Sequence, residues 1–176
     1  MTHRARAALL VRACRDDLRG AWRHIALDWC AGSPLAPRPL RFLVYRAFGL
    51  RLRTANIGRN CRVVGSRLDI GSGTFVNQRC FFEAVAPITI GADCQLGMEV
   101  MILTSHHEIG PAGVSRVPEY RPVTIGDRVW LAARVTVLPG VRIAADVAVA
   151  AGSVVTRDLT DPGVYGGVPA RRIRDL

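Results

Sequence analysis

The sequence lacks several features that mark common functional classes. It contains no lysine, so its 24 basic residues are all arginines, set against 14 acidic residues for a formal net charge of +10. Aromatic residues make up only 6% of the 176 residues, and no stretch interleaves basic residues with the stacking aromatics typical of nucleic-acid binding. We therefore expect no nucleic-acid partner. The charge leaves phosphate-bearing small molecules and anionic membranes as possible partners.

Cysteine and histidine are too few or too scattered for a metal centre. None of the five cysteines forms a CxxC pair, which excludes the usual zinc and dithiol motifs and predicts reduced thiols. A carbonic-anhydrase zinc site needs three imidazoles and an open fourth position. The sequence has four histidines, and His3 and His24 lie in the N-terminal segment. We predict no metal site.

Long apolar runs are also missing. The run Ala7–Val11 follows Arg4 and Arg6, as in a signal peptide, but Arg12 and the charged residues after it end the run. It is far too short for a membrane span or a secretory leader. The sequence therefore predicts a cytoplasmic protein.

Residues 1–55 predict an N-terminal helical arm. Apolar residues between Leu9 and Trp29 recur at mostly helical spacing with arginines between them, and a second short helix is predicted over Arg41–Leu50. We interpret the arm as a cap on the main fold that packs on a neighbouring subunit. The alternative is peripheral membrane contact, because a basic amphipathic helix can lie on anionic lipid.

From Ile57 onward an aliphatic residue recurs every six positions. The clearest series is Ile125, Leu131, Val137, Ile143, Val149 and Val155. The same period relates Ile90, Leu96 and Ile102, and also Val64, Ile70, Val76 and Phe82. Ile57 and Val63 open the series. Neither an α-helix nor an alternating strand carries a period of six.

A chain that turns a corner every six residues accounts for this period. Each short strand then points one aliphatic side chain into a narrow core, and stacked triangular coils form a solenoid. The sequence thus predicts an all-β solenoid over residues 56–160, followed by a tail over 161–176. Cys61, Cys80 and Cys94 fall in the compact inward position of this repeat, so we predict buried core thiols.

The repeat fails between residues 104 and 122, in a polar, turn-rich stretch that predicts an extended loop. His106 and His107 stand where the loop begins, and histidine is the side chain best suited to accept a proton near neutral pH. If the register of Ile102 continued, His106 would point inward and His107 outward. This favours His107 as the reactive residue, with His106 as the second candidate.

The chain from about Ile57 to Leu176 resembles the hexapeptide-repeat acetyltransferases, in the branch that contains the maltose, galactoside and colanic-acid O-acetyltransferases. The resemblance rests on an ordered set of motifs: Pro122-Val-Thr-Ile-Gly-Asp-Arg-Val-Trp130, Leu138-Pro-Gly-Val141, Ala151-Gly-Ser-Val-Val-Thr-Arg-Asp158 and Gly166-Gly-Val-Pro-Ala170. It implies a left-handed parallel β-helix that assembles as a homotrimer. It also implies acetyl-CoA as co-substrate, bound in a groove between subunits.

The resemblance further implies roles for individual residues. His107 takes the place of the family's catalytic histidine in Ile-Leu-Thr-Ser-His-His-Glu, with His106 one position away, and Glu108 either orients the imidazole or is a solvated acid. The positions implied for the cofactor are Ala133, Ala151, Ser153, Thr156, Arg157, Arg171 and Arg174. For the last two, a solvated basic tail is the alternative. Asn77 and Glu83 match the segment that lines the family's acceptor pocket.

These observations predict an acetyl-CoA-dependent O-acetyltransferase that acts on a hydroxyl of a sugar or glycan precursor, with histidine as general base. The alternatives are an acyltransferase for a non-sugar hydroxyl or amine, and a non-catalytic trimeric scaffold. A scaffold would have no use for the histidine-bearing loop together with the Ala151–Arg157 segment.

Overall fold

The computed structural model describes residues 18, 21–22, 25–111 and 113–176. Most of the first predicted helix, with His3, His24 and Cys14, lies outside these residues. Within them, Ile25–Ala31 forms a π-helix. No helix in this part of the chain is both long and apolar enough to cross a membrane.

The second predicted helix is present but begins earlier than expected. Helix α1 spans Arg38–Ala47 rather than Arg41–Leu50. Pro37 forms the N-cap in an extended conformation and Pro39 lies in the first turn, where the missing N–H has no helical partner to lose. The helix ends before Gly49, whose φ of 87° is the left-handed conformation that glycine adopts without strain.

The main body is a solenoid with three parallel faces. Face A contains β1 (Arg51–Leu52), β3 (Leu68–Ile70), β6 (Ile88–Ile90), β11 (Val123–Ile125) and β14 (Arg142–Ile143). Face B contains β4 (Phe75–Val76), β7 (Gln95–Leu96), β12 (Trp130–Leu131), β15 (Val147–Val149), β17 (Gly163–Gly166) and β18 (Arg171–Arg174). Face C contains β2 (Arg62–Gly65), β5 (Phe81–Ala84), β8 (Met101–Ile102), β13 (Thr136–Val137) and β16 (Val154–Val155).

The chain visits the faces in the order A, B, C and repeats, so three edges run along the solenoid: AB, BC and CA. Two pairs are antiparallel, the terminal pair β17–β18 and the hairpin formed by β9 (Ser105–Gly110) and β10 (Gly113–Tyr120). All other strand pairs are parallel. The fold is the left-handed parallel β-helix that the six-residue period and the family resemblance predict.

The aliphatic series forms the core as predicted. All six residues of the series Ile125 to Val155 are buried, and so are Cys61, Cys80 and Cys94. The sequence places both Val63 and Val64 in the series, and the structure confirms Val63 in the inward position of β2, so Val64 was wrong. Val63 and Ile70 are seven positions apart, because the corner after β2 holds an extra residue around Gly65, whose φ is 81°. The period of six therefore fails at this CA corner.

A buried arginine joins the N-terminal segment to the first coil. Arg41 of α1 is only 4% exposed, and its guanidinium donates hydrogen bonds to the backbone oxygens of Ala31, Ser33, Ala36 and Ile57. These bonds satisfy carbonyl groups that burial would otherwise leave unpaired. They hold α1 against the BC edge near Ile57.

Candidate functional site

The predicted loop is an ordered β-hairpin. The chain leaves the solenoid after β8 on face C, forms the antiparallel pair β9–β10, and returns at β11 on face A. The hairpin therefore projects from the CA edge. Its strands pair with each other, and Ile109, Val114 and Val117 are 64–80% exposed. These three side chains form an apolar surface that no other described residue covers.

Glu83 fixes the root of this hairpin. Its Oε2 accepts hydrogen bonds from the backbone N–H groups of Thr104 and Ser105, both at 3.0 Å, and its Oε1 accepts one from Ser105 Oγ at 2.6 Å. Burial by itself raises the pKa of Glu83, but the three hydrogen bonds outweigh it and hold the pKa below the ordinary value. The carboxylate thus stays charged, and the root stays anchored, until the pH falls through this lowered pKa.

Glu83 has its carboxylate oxygens turned to the hairpin, although the resemblance implied a contact with the acceptor. We expect Glu83→Ala to lower kcat by about tenfold, since it removes hydrogen bonds to a charged group worth roughly 1.5–3 kcal/mol each, partly offset by water. Glu83→Gln, which can still accept the backbone N–H groups, is the matched control and should retain most activity. Steady-state kinetics checks this: a raised acceptor KM at unchanged kcat would instead indicate direct acceptor binding.

The two histidines of β9 have different surroundings. His107 is exposed, and its Nδ1 lies 2.7 Å from the backbone oxygen of Ser115. A carbonyl only accepts, so Nδ1 carries the proton and Nε2 keeps a free lone pair. His106 is more enclosed, with its side chain 27% exposed and its Nε2 3.3 Å from a carboxylate oxygen of Glu119 on β10. Its buried Nδ1 has no hydrogen-bond partner among the residues that the structure describes.

Each imidazole therefore meets part of what a general base requires. His107 has one nitrogen anchored and the other free, whereas His106 has a carboxylate partner and a free Nδ1. The sequence reasoning missed Ser105 and Glu119. Glu119 can be found from the register of the hairpin, because Glu119 on β10 lies directly opposite His106 on β9.

The residues implied for the cofactor lie on more than one edge. Ala133 and Ala151 occupy corners of the BC edge, in successive coils. Ser153 is buried, and its hydroxyl donates to Ala150 O at 2.7 Å and accepts from Gly167 N at 3.1 Å. This hydroxyl holds the turn that presents Ala151.

The cationic candidates are exposed. Thr156 and Arg157 follow β16 and so lie on the CA edge, which also carries the hairpin. Arg171 and Arg174 lie on β18, beside face B. Among the described residues, Arg157 has no ionic or hydrogen-bonded side-chain partner. One chain therefore brings the hairpin and Arg157 to one edge, but Ala133 and Ala151 to the next edge.

Asn77 marks the other end of the BC edge. It follows β4 and lines an open cleft of about 350 Å³ between this edge and the start of α1. Arg38, Arg59 and Gln78 also line the cleft, and sequence reasoning did not select them. Arg59 and Gln78 occupy corner positions on this edge in consecutive coils, which is the signal that could have identified them.

No group of three histidine, cysteine or acidic side chains suited to a metal ion occurs in residues 18, 21–22, 25–111 and 113–176. The candidate residues are instead divided between two edges, with the imidazoles and Arg157 on the CA edge and the small residues Ala133 and Ala151 on the BC edge.

Comparison with known proteins agrees with this description. The family described as bacterial transferase hexapeptide (six repeats) matches residues 122–157. The galactoside O-acetyltransferase of Lactococcus lactis is 33% identical over 138 residues, which cover 72% of this chain and 67% of that protein.

Two solved structures share the fold over most of the chain. The maltose O-acetyltransferase of Clostridium difficile has a TM-score of 0.77 at 29% identity, covering 89% of this chain and 85% of that one. The hexapeptide-repeat acetyltransferase of Vibrio cholerae, solved with acetyl coenzyme A, has a TM-score of 0.79 at 28% identity, covering 88% and 85%.

The fold is thus that of the hexapeptide-repeat transferases. The chain belongs to the hexapeptide-repeat acetyltransferase family. It matches only 55% and 58% of the length of two other curated relatives.

Proposed function

We propose that the protein is an acetyl-CoA-dependent O-acetyltransferase whose acceptor is a hydroxyl of a sugar or glycan precursor. The observation that carries the proposal is the single large break in the solenoid, which places two imidazoles on a hairpin with an anchored root. The galactoside specificity named for the Lactococcus lactis relative supports a sugar acceptor.

In this proposal an imidazole of β9 removes the proton of the acceptor hydroxyl, because an alcohol is a poor nucleophile until it is deprotonated. His107 is the first candidate, with Nδ1 anchored on Ser115 O and Nε2 as proton acceptor. His106, paired with Glu119, is the second. Holding the hydroxyl beside the base supplies much of the remaining acceleration.

Acetyl-CoA would supply the acetyl group as an activated thioester: the acceptor oxygen would bond to the carbonyl carbon, the C–S bond would break, and the protonated imidazole would return its proton to the CoA sulfur. The residues implied for the cofactor fit such a molecule. Ala133 and Ala151 present small side chains where the pantetheine arm would approach the backbone. Arg157, Arg171 and Arg174 are exposed cations that suit the pyrophosphate and 3′-phosphate.

The cofactor assignment predicts which arginines acetyl-CoA needs. We expect Arg157→Ala with Arg174→Ala to weaken acetyl-CoA binding by roughly 10- to 100-fold, because at these exposed positions water replaces part of the lost hydrogen bonds and the two together contribute about 1.4–2.7 kcal/mol. Titration calorimetry measures it, with His107→Ala and Arg142→Ala, an exposed arginine on face A, as controls that should bind normally. Absence of binding by the folded wild-type protein would contradict the proposed function.

We also propose that the protein is a homotrimer with the groove shared between copies. Each side of the solenoid spans about six residues, up to roughly 20 Å of chain, so neighbouring edges are well separated. The hairpin and Arg157 are on the CA edge, whereas Ala133 and Ala151 are on the BC edge. A cyclic arrangement sets the CA edge of one copy against the BC edge of the next and covers the exposed apolar side chains of the hairpin.

The exposed apolar residues of the N-terminal segment fit the same assembly. Trp22, Trp29 and Leu35 are 71–90% exposed. We propose that they pack on a neighbouring subunit. Peripheral contact with anionic lipid is the alternative, which co-sedimentation with anionic vesicles distinguishes.

A further inference from the structure

The cleft at the N-terminal end of the BC edge is lined by charged side chains of one sign only. Three arginines line it, Arg38, Arg41 and Arg59, together with the amides of Asn77 and Gln78 and the ring of Phe75. No carboxylate belongs to this lining among the residues that the structure describes. The cleft therefore carries three formal positive charges and no compensating negative one.

The oxygens of the two amides already accept hydrogen bonds from within the chain. Gln78 Oε1 already accepts a hydrogen bond from Arg59 Nε at 3.1 Å, and Asn77 Oδ1 accepts one from the backbone N–H of Gln78 at 2.8 Å. Their NH₂ groups remain for a ligand. The side chains of the cleft thus offer a ligand mainly N–H donors.

The arginines of the cleft differ from their neighbours on the same edge. Arg79 and Arg134 both pair with Glu99, at 3.3 and 2.7 Å. In contrast, the Arg38 guanidinium lies 5.9 Å from the centre of the Phe75 ring, and Arg59 contacts only the neutral Gln78. No carboxylate of the described chain pairs with Arg38 or Arg59.

Arg41 adds a buried charge behind the cleft. Its four hydrogen bonds go to backbone carbonyls, which engage four of its five N–H groups but carry no formal negative charge. A buried charge is screened less than an exposed one. Arg41 thus adds to a positive potential in the cleft beside Asn77.

We propose that this cleft binds an oxyanion of the acceptor, so that the acceptor is a phosphorylated or carboxylated sugar and not a neutral one. The inference rests on the proposed function, because it takes the BC edge that carries Ala133 and Ala151 as one wall of the reaction groove. Arginine suits both oxyanions, since its planar guanidinium forms paired hydrogen bonds with phosphate and carboxylate.

The test compares ligands that share a sugar ring but differ in charge. Calorimetry at low ionic strength measures inorganic phosphate, glucose 1-phosphate, glucuronate and glucose against three proteins: wild type, Arg38→Gln/Arg59→Gln, and Arg142→Gln. Arg142 is an exposed arginine on face A whose side chain has no ionic partner in the described residues. Glutamine at positions 38 and 59 keeps length and polarity but removes the charge.

We expect at least one charged sugar to bind wild type about tenfold or more tightly than glucose, consistent with hydrogen bonds to a charged group. This preference should disappear in Arg38→Gln/Arg59→Gln and persist in Arg142→Gln. The ranking of glucose 1-phosphate against glucuronate distinguishes phosphate from carboxylate. Equal binding of charged and neutral sugars by wild type, or an unchanged preference in the double variant, would overturn the proposal.

A separate titration with acetyl-CoA keeps this result apart from the proposed function. Acetyl-CoA should bind wild type and Arg38→Gln/Arg59→Gln alike, because its proposed phosphate ligands lie elsewhere. If the double variant loses acetyl-CoA affinity, the cleft binds the phosphates of the cofactor and the acceptor assignment is wrong. If acetyl-CoA binds neither protein, the proposed function fails while the sugar comparison still decides the charge preference.

Discussion

The double variant His106→Ala/His107→Ala should lose acetyl transfer by about 10²- to 10⁴-fold, the usual contribution of a positioned general base. Thiol release from acetyl-CoA in the presence of an acceptor measures the rate. Affinity for acetyl-CoA should not change, because neither imidazole is among its proposed ligands. A double variant within tenfold of wild type would exclude histidine as the base.

Single variants then assign the base. If His107 is the base, His107→Ala accounts for the loss and Glu119→Gln has little effect, since Glu119 contacts His106. If His106 is the base, both His106→Ala and Glu119→Gln reduce kcat, because the carboxylate orients that imidazole. Retained acetyl-CoA binding serves as the folding control in each case.

Mixing two inactive proteins should restore activity if the groove is shared between copies. One protein carries His106→Ala/His107→Ala, and the other carries Ala133→Trp, which fills the BC edge. In a cyclic trimer reassembled from equal amounts, on the order of a quarter of the grooves combine an intact hairpin with an intact BC edge. We expect activity near that fraction of wild type.

Two controls are needed to interpret the activity of the mixed proteins. Each protein alone should remain inactive after the same dissociation and reassembly, and sedimentation should show a mass three times the 19.1 kDa of the chain. If reassembled mixtures of that mass stay inactive, the hairpin and the BC edge of a site belong to the same copy. A purely monomeric protein would contradict the trimer.

The sequence predicted most of the solenoid because its core is local and periodic. Each of the three sides of a coil needs one aliphatic residue in the inward position, so the series Ile125 to Val155 predicts both the coils and their register. The error at Val64 has the same origin: a period of six cannot predict an extra residue at a corner. Helix α1 begins at Arg38 and not at the predicted Arg41, because proline is tolerated in the first turn of a helix although it breaks a helix interior.

The chemistry of the site was predicted only in part. The break in the repeat indicated His106 and His107 as candidates, and the family resemblance indicated Arg157; the roles of all three stay predictions. The hydrogen bonds of Glu83 to Thr104 and Ser105 could not be predicted, since they join residues more than 20 positions apart whose meeting depends on how consecutive coils stack.

By itself the sequence determined the coiled architecture, the buried thiols and the position of the hairpin. The first two follow from which residues recur in the inward position, and the third follows from where that recurrence stops. Only the tertiary structure decided which edge carries each group. It placed Ala133 and the histidines on different edges, turned the carboxylate of Glu83 to the hairpin root, and assembled the cleft of Arg38, Arg59 and Asn77 from segments distant in sequence. The physical reason is that the pattern of inward-facing residues depends on neighbours along the chain, whereas ion pairs and hydrogen bonds form between residues of different coils.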